Sequence, residues 1–151
     1  MGAGSAAFLV AQVGAHAAMK FGERLKKLKL APHQAGILRI LASTPAITQQ
    51  SLAKILGIVP SRLVALIDEM ESSGLVERRA NRDDRRRYAL HLTEKGRSML
   101  ESVGRVAREH SQDLLAALSD DEQRQMASLL QRIANEQGLT HGVHPGYRQL
   151  G

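Results

Sequence analysis

The chain has 151 residues, a length that suits one domain with an appended helical region. Its formal net charge of +6 favours a polyanion as a partner. Nucleic acid comes first among such partners, and an anionic membrane surface comes second. The absence of cysteine excludes disulfides, thiolate metal sites and thiol redox chemistry. No stretch of about 18 apolar residues occurs, so no membrane span is predicted. Nothing indicates export, and we therefore expect a cytoplasmic protein.

Start and stop signals predict four helices in the first half of the chain. The signals are Ser5 and about Leu28 for the first helix, Pro32 for the start of the second, Thr48 and Gly57 for the third, and Pro60 and Gly74 for the fourth. Each signal has a physical basis: Thr48 can cap a helix start, Gly57 can end a helix, and proline is tolerated in a first turn.

The second half of the chain begins with a predicted β-hairpin. The segments LVERR and YALHL flank a polar loop, and Tyr88, Leu90 and Leu92 alternate with polar or small residues. Thr93 then caps a long helix that is predicted to reach about Leu118. A capping box, SDDE at residues 119–122, opens a last helix that ends at Gly138. The glycine-rich tail that follows has no periodicity and is expected to be irregular.

Apolar stripes occur in the predicted helices at both chain ends. They consist of Phe8, Leu9, Val13, Ala17 and Phe21 in the first helix, and of Met126, Leu129, Leu130 and Ile133 in the last. Such stripes on either side of a small domain are more often buried against a partner subunit than in the chain's own core. We therefore predict a homodimer, with a monomeric core of six helices as the alternative.

Residues 47–76, ITQQSLAKILGIVPSRLVALIDEMESSGLV, have the layout of a helix-turn-helix, because two short helices meet at a turn that contains Gly57. The helical spacing of apolar residues predicts that the second helix buries Leu63, Leu66, Ile67 and Met70. The opposite face carries Ser61, Ala65, Asp68 and Ser72, with Arg62 and Val64 on its flanks. Small and polar side chains near the start of this helix would allow it to enter a DNA major groove.

The hairpin makes this signal more specific, because a helix-turn-helix followed by a two-stranded ribbon with a basic tip, NRDDRRR, is a winged helix. The segments LAKILGI, LIDEMESSGLVERR and DDRRRYALHLTEKG closely resemble the MarR family of bacterial transcription regulators. The resemblance implies an obligate dimer whose dimerisation region is built from both chain ends. It also implies one recognition helix in a major groove and one wing over the adjacent minor groove. Members of the family commonly repress nearby genes, and many release DNA when a small phenolic or other aromatic anion binds.

We therefore expect a mainly α fold with a small β-hairpin, divided into three parts. These are an N-terminal dimerisation helix (1–31), a winged helix-turn-helix DNA-binding domain (32–92), and C-terminal dimerisation helices with a tail (93–151). The expected function is sequence-specific binding of double-stranded DNA at a pseudo-palindromic operator, with repression relieved by a small aromatic or anionic effector. A DNA-binding regulator without small-molecule control is the alternative.

Ten residues are predicted to contact DNA. They are Thr48, Gln49, Pro60, Ser61, Arg62, Val64, Ala65, Arg82, Arg85 and Arg86. Arg62 is expected to contact a guanine or a phosphate, unless it pairs with Glu69. By the resemblance, Arg85 enters the minor groove.

Acidic residues are expected to support the wing. Asp68 and Asp84 would brace its arginines, with Arg86 as the partner best placed for either. Glu71, which would repel phosphate as Asp68 does, should also face the wing or the protein body. The chain departs from the family pattern at Val59, Ala65 and Asn81, and these changes bear on the operator sequence.

Three histidines raise the question of a ligand site. His16, His33 and His110 would converge if the first, second and fifth helices pack together, and we treat them as a candidate effector pocket. None of the six histidines has a close His-x-x-x-His spacing, so we expect neither a metal nor a cofactor.

Two other function classes fit less well. No P-loop, H-E-x-x-H or dinucleotide-binding fingerprint occurs, so the chain is not expected to be an enzyme. A membrane-surface protein is conceivable because the first helix carries Lys20, Arg24, Lys26, Lys27 and Lys29. However, cations at a helix C-terminus are explained by the helix dipole, and no membrane partner is predicted.

Overall fold

The computed structural model describes residues 2–80 and 87–149 and contains six α-helices and one antiparallel hairpin within those ranges. The helices are α1 (Ala6–Leu25), α2 (Pro32–Ser43), α3 (Gln49–Leu56), α4 (Pro60–Ser72), α5 (Glu94–Leu114) and α6 (Asp120–Glu136); the strands are β1 (Val76–Ala80) and β2 (Tyr88–Leu92). Short 3₁₀ turns occupy Lys26–Leu28 and Pro145–Gln149. The predicted fold class, mainly α with a small hairpin, is confirmed.

Side-chain caps fix the helix starts where the sequence predicted them. Thr48 Oγ1 accepts a hydrogen bond from the backbone N–H of Ser51 at 3.1 Å, and Thr93 Oγ1 accepts one from Gly96 at 2.9 Å. Ser119 and Glu122 form a reciprocal capping box. These bonds satisfy N–H groups that have no partner within the helix.

Two helices end earlier than the sequence predicted. Helix α1 passes into a 3₁₀ turn after Leu25, and Lys29 then adopts a left-handed conformation with φ of 55°, which turns the chain away. Helix α5 ends at Leu114, and residues 115–117 continue as turns rather than as helix. At the end of α1 the last predicted helical turn is thus present in the tighter 3₁₀ form.

The hairpin pairs Val76 with Leu92 and Ala80 with Tyr88 in an antiparallel register. A short segment before α3 extends this ribbon, because Thr48 bridges Ala89 and the N–H of Leu90 donates to the carbonyl of Ile47 at 2.9 Å. The wing is therefore attached to the entrance of the helix-turn-helix by backbone hydrogen bonds.

The hydrophobic core lies between helices α2, α3 and α4, the hairpin and the end of α1. Its fully buried members are Leu25, Ile37, Leu38, Leu52, Leu63, Ile67, Met70, Val76 and Leu90. The predicted buried face of α4 is confirmed, because all four of its residues are buried. Helix α6, by contrast, has no buried residue.

The apolar stripes at the chain ends lie mostly outside this core. Phe8, Leu9 and Val13 of α1 are exposed, as are Leu129 and Ile133 of α6. Helix α1 packs on α5 through its C-terminal part, where Phe21 contacts the core. The six helices thus do not share one core within the described residues, since α6 has no buried residue. The homodimer stays a prediction.

Among the described residues, no single helix is long and apolar enough to cross a membrane; only α3 and α4 taken together reach that length and apolarity, and they are sharply bent.

Candidate nucleic-acid interface and ligand cavity

Helices α3 and α4 form the helix-turn-helix, with a bend of 111° between them. This angle lies within the range of roughly 90–120° that is typical of the motif. Gly57 permits the turn because its φ is +70°, a conformation that disfavours residues with a side chain. Helix α4 then starts at Pro60 without a side-chain cap, because Val59 offers no acceptor.

The predicted recognition face of α4 is open to solvent. Ser61, Arg62, Val64 and Ala65 are all exposed, and so is Pro60 at the helix start. The side chain of Arg62 has no hydrogen bond or ion pair with any residue in 2–80 or 87–149, so the alternative pairing with Glu69 does not form. One turn of helix therefore presents small side chains and one unpaired cation.

Arg78, in the middle of β1, connects the wing to α4. Its Nη2 lies 2.7 Å from Asp68 Oδ1, and its Nη1 lies 3.2 Å from Glu71 Oε1. Nη2 also donates to the carbonyl of Val64 at 3.2 Å. The side chain of Arg78 is only 14% exposed, so these contacts are less screened by water than ordinary surface pairs.

Asp68 and Glu71 thus contact the wing through Arg78. The arginine that Asp68 contacts among the described residues is Arg78 of the strand, whereas the sequence suggested Arg86 of the tip. Arg78 was not among the predicted site residues, although the hairpin places it opposite Leu90.

Gln49 and Thr48, which are predicted to contact DNA, form hydrogen bonds within the protein. Gln49 Oε1 accepts a hydrogen bond from Arg78 Nε at 2.6 Å, which makes Gln49 the fourth anchor of that arginine. Thr48 caps α3 and its hydroxyl donates to Ser51 Oγ at 2.9 Å. Both are partly exposed, so their polar atoms are held at the rim of the predicted interface.

The predicted wing-tip residues Arg82, Asp84, Arg85 and Arg86 lie outside the described residues. Their predicted roles therefore stay predictions.

A cavity of about 710 Å³ lies between α1, α2, α5 and the C-terminal tail. Its lining is almost entirely apolar, with Phe21, Leu100 and Val103 among the contributors, and with His33 and Arg39 as polar groups at its wall. This size falls within the roughly 300–1,000 Å³ of small-molecule sites, which are mostly apolar with a few polar groups.

Of the three histidines predicted to form an effector pocket, only His33 lines the cavity. His16 is exposed, and His110 stacks obliquely on Phe21 with ring centroids 5.4 Å apart. His16 and His110 therefore do not line this cavity, and the predicted effector role of the three histidines stays a prediction. The tail residue His144, which the sequence offered no reason to choose, lines it instead.

Burial lowers the pKa of His33, with Glu69 acting to raise that pKa and Arg62 to lower it. His33 Nε2 is buried without a hydrogen-bond partner among the described residues. The imidazole is therefore kept neutral at the cavity wall, within electrostatic range of the recognition helix.

The C-terminal tail runs along the cavity and is irregular, as predicted, apart from the 3₁₀ turn Pro145–Gln149. Tyr147 is buried, and its hydroxyl donates to the carbonyl of His33 at 2.7 Å. Arg39 donates to the carbonyl of Gly142. Burial raises the pKa of Tyr147 to about 12, so its phenol stays protonated and able to donate at neutral pH.

The basic end of α1 is partly neutralised by its neighbours. Arg24 forms ion pairs with Glu109 and Asp113 of α5, and Lys20 lies 3.6 Å from Glu23. Two of the five cations behind the membrane-surface hypothesis therefore have acidic partners. No group of three or more potential metal ligands occurs among the residues that the structure describes.

Comparison with known sequences gives one family and a regulatory relative. The sequence model of the MarR family matches residues 30–88. A Thauera aromatica protein named as a transcriptional regulatory protein for the hcr operon is 32% identical over 105 residues, which cover 70% of this chain and 63% of that protein. The present chain thus spans less than two thirds of the length of that relative.

Solved structures show the same fold. The transcriptional repressor CouR bound to a 23-mer DNA duplex is 28% identical, with a TM-score of 0.79 that covers 89% of this chain and 98% of that one. A mutant MarR from E. coli complexed with operator DNA is 26% identical, with a TM-score of 0.73 over 83% of this chain and 90% of that one. Both likenesses cover more of the chain than residues 30–88.

Proposed function

Since this chain belongs to the MarR family, we propose that it is a transcription regulator that binds double-stranded DNA through α4 and the β1–β2 hairpin. The observation that carries this proposal is the exposed start of α4, where Ser61, Arg62 and Ala65 face solvent beside the wing. Small side chains allow a helix to approach base edges closely, and an unpaired arginine can bond to a guanine in two places.

The brace around Arg78 supports the same function. A recognition helix and a wing contact neighbouring grooves only if their relative position is fixed, and Arg78 joins β1 to Asp68 and Glu71 of α4. The family relatives bound to a DNA duplex and to operator DNA have the same fold over most of this chain. Arg85 and Arg86 of the wing tip would supply minor-groove and phosphate contacts.

The protein acts as a homodimer in this proposal, with 1–31 and 93–151 forming the dimerisation region around the DNA-binding domain at 32–92. The exposed apolar faces of α1 and α6 support it, because a two-fold partner would remove both from water. A two-fold dimer binds two half-sites, so its operator would be pseudo-palindromic.

Repression that is relieved by a small aromatic or anionic effector completes the proposal. The largely apolar cavity beside His33 and Arg39 supports an effector, because its size and lining suit a small aromatic molecule. The membrane-surface alternative is weakened by the pairing of Arg24 with α5. Enzymatic activity is not part of the proposal.

Whether α4 contacts bases is tested by replacing Arg62 on its exposed face and, as a control, an arginine elsewhere in the chain. We expect Arg62→Ala to reduce discrimination between the operator and single-base variants of one half-site by about 1–3 kcal/mol, as measured by fluorescence anisotropy. Arg105→Ala is the matched control, because Arg105 lies on α5 and its side chain bonds to Ser102. If Arg62→Ala discriminates among these duplexes as well as the parent, α4 does not contact bases in the proposed way.

A further inference from the structure

Tyr147 lies in a cleft that is formed by the start of α2, and the backbone of that helix is shaped for it. A Cβ atom placed on Gly36 would lie 2.1 Å from the Tyr147 hydroxyl oxygen. Real contacts of this kind are never so short, so only glycine leaves room for the phenol at this position. The hydroxyl then reaches the carbonyl of His33, 114 residues away in the chain.

The tail is held in place by side chains and not by backbone hydrogen bonds to a helix or strand. Within the described ranges, the backbone hydrogen bonds of the tail beyond residue 140 are local, from Val143 to Thr140 and from Tyr147 to His144. Residues 139–142 are exposed, and the second link to α2 is the bond from Arg39 to Gly142. Besides Tyr147, Val143 packs against the core and the 3₁₀ turn Pro145–Gln149 contacts α3. A segment that is held by a few side chains, and not by the hydrogen bonds of a helix or sheet, can open locally while the helices stay folded.

The same tail forms part of the cavity wall. His144, Gly146 and Tyr147 line it on one side, while α2 and α5 line the other. A molecule that enters the deepest part of the cleft must therefore share the space with the Tyr147 ring or replace it.

We propose that the C-terminal tail is a built-in competitor for the effector cavity, with the Tyr147 phenol occupying a cleft that accepts a phenol-bearing ligand once the tail leaves. The regulatory role of such a ligand rests on the proposed function. The cleft and its occupation by Tyr147 do not depend on DNA binding. A ligand of this class presents a hydroxyl to the His33 carbonyl and an aromatic ring to the Gly36 backbone.

The side chain of tyrosine, cut at Cβ, is 4-methylphenol, which makes that compound the natural probe. In the Tyr147→Ala variant the cleft is vacated while the rest of the chain is retained. We expect 4-methylphenol to bind this variant about tenfold more tightly than the parent, the factor for a tail that fills the cleft roughly nine-tenths of the time. Calorimetry on the full chain without DNA measures both affinities.

Three controls separate a specific cleft from general stickiness. Toluene lacks the hydroxyl and should bind Tyr147→Ala more weakly than 4-methylphenol does. Addition of Gly36→Ala to that variant should abolish binding of 4-methylphenol, because the new methyl group takes the place of the hydroxyl. Tyr88→Ala removes the exposed tyrosine of β2 and should leave the parent affinity unchanged.

Tyr147→Phe provides a second variant that keeps the ring and removes only the donor. Because it retains the ring contacts, 4-methylphenol should bind it with an affinity between those of the parent and Tyr147→Ala. Equal affinity of parent and Tyr147→Ala, absence of binding to both, or binding unaffected by Gly36→Ala would overturn the inference. None of these results bears on whether the protein binds DNA, so the two proposals fail separately.

Discussion

Arg78 and Asp68 are joined at 2.7 Å, a contact that links the first strand of the wing to the outer face of the recognition helix. The guanidinium also bonds to Glu71, Gln49 and the carbonyl of Val64, so groups from two helices, α3 and α4, converge on one mostly buried side chain of β1. A planar group with five N–H donors suits this task, and a lysine could not replace it. The position of the wing relative to α4 therefore depends on a residue that need not touch DNA.

Arg78→Ala should therefore weaken both the fold and DNA binding. The change leaves Asp68 and Glu71 without their partner, and we expect the free energy of unfolding to fall by about 1.5–3 kcal/mol. Urea denaturation measures the first effect and operator titration the second. Arg79→Ala is the matched control, since Arg79 is exposed and its partner within the described ranges is Glu77, two residues away. A surface change of this kind should cost less than about 0.5 kcal/mol. Equal effects of the two changes would show that the brace is unimportant.

Arg85→Ala tests the wing tip. An arginine in a narrow minor groove gains from the concentrated negative potential there, so its loss should cost about 1–3 kcal/mol of binding, mainly on duplexes with A·T-rich flanks. Thermal denaturation should show an unchanged fold. If the variant binds every duplex as tightly as the parent, the wing is a solvated charged loop and takes no part in recognition.

Removal of residues 1–20 should abolish the dimer and DNA binding together, because it deletes the exposed apolar face of α1. A milder change, Ile133→Asp, places a charge on the face of α6 that carries Leu129 and Ile133. Both variants should give a light-scattering mass near that of one chain, which is 16.5 kDa for the full length. Gln131→Asp, on the opposite face of α6, should remain dimeric. A truncated monomer that binds the operator at full affinity would contradict the proposed assembly.

His33 should make the stability of the fold depend on pH. Burial lowers its pKa in the folded state, whereas the unfolded chain binds the proton near pH 6.5. The unfolded state therefore binds more protons below that pH, and stability must fall as the pH falls from about 6.5 toward the folded-state pKa. When the pH is lowered from about 7.5 to about 5.5, the melting temperature of His33→Asn should decrease less than that of the parent, because asparagine does not take up a proton. An identical loss in both proteins would show that His33 is not responsible.

Gly96 packs directly on the carbonyl oxygen of Leu75, and a Cβ atom at this position would lie 2.1 Å from it. Gly96→Ala should therefore push α5 away from the segment that leads into β1, at a cost of about 1–3 kcal/mol in unfolding free energy. Gly22→Ala in α1 is the control, because its new methyl group meets only an ordinary contact with Pro32 at 3.7 Å. That change should be neutral or stabilise the helix by up to about 1 kcal/mol. Equal unfolding midpoints for the two variants would contradict this account.

Local features were predictable from the sequence because their causes are local. The caps at Thr48, Thr93 and Ser119 and the buried face of α4 follow from hydrogen bonding and periodicity within a few residues. The brace at Arg78 was missed because its partner Gln49 lies 29 residues away and becomes a neighbour only when the hairpin packs on α3 and α4.

The cavity was anticipated between the first, second and fifth helices, but its wall was not. Helix packing decides which turn of a helix faces a cavity, and the positions of the histidines along the sequence do not reveal it. The position of Tyr147 depends on the missing side chain of Gly36, a contact across 114 residues between two segments with no common motif. Long-range fits of this kind leave no periodic signal in a single sequence.

Selection from a library of random duplexes with the purified full-length protein tests the central claim most directly. If α4 and the wing of each subunit read one half-site, the recovered sequences should share a pseudo-palindrome whose half-sites are about one helical turn, roughly 10 bp, apart. Binding to that sequence should weaken steeply as salt is raised, because several Lys and Arg residues displace counterions from the phosphates. Recovery of no common sequence, or of a single asymmetric site, would contradict the assignment of this surface to operator recognition.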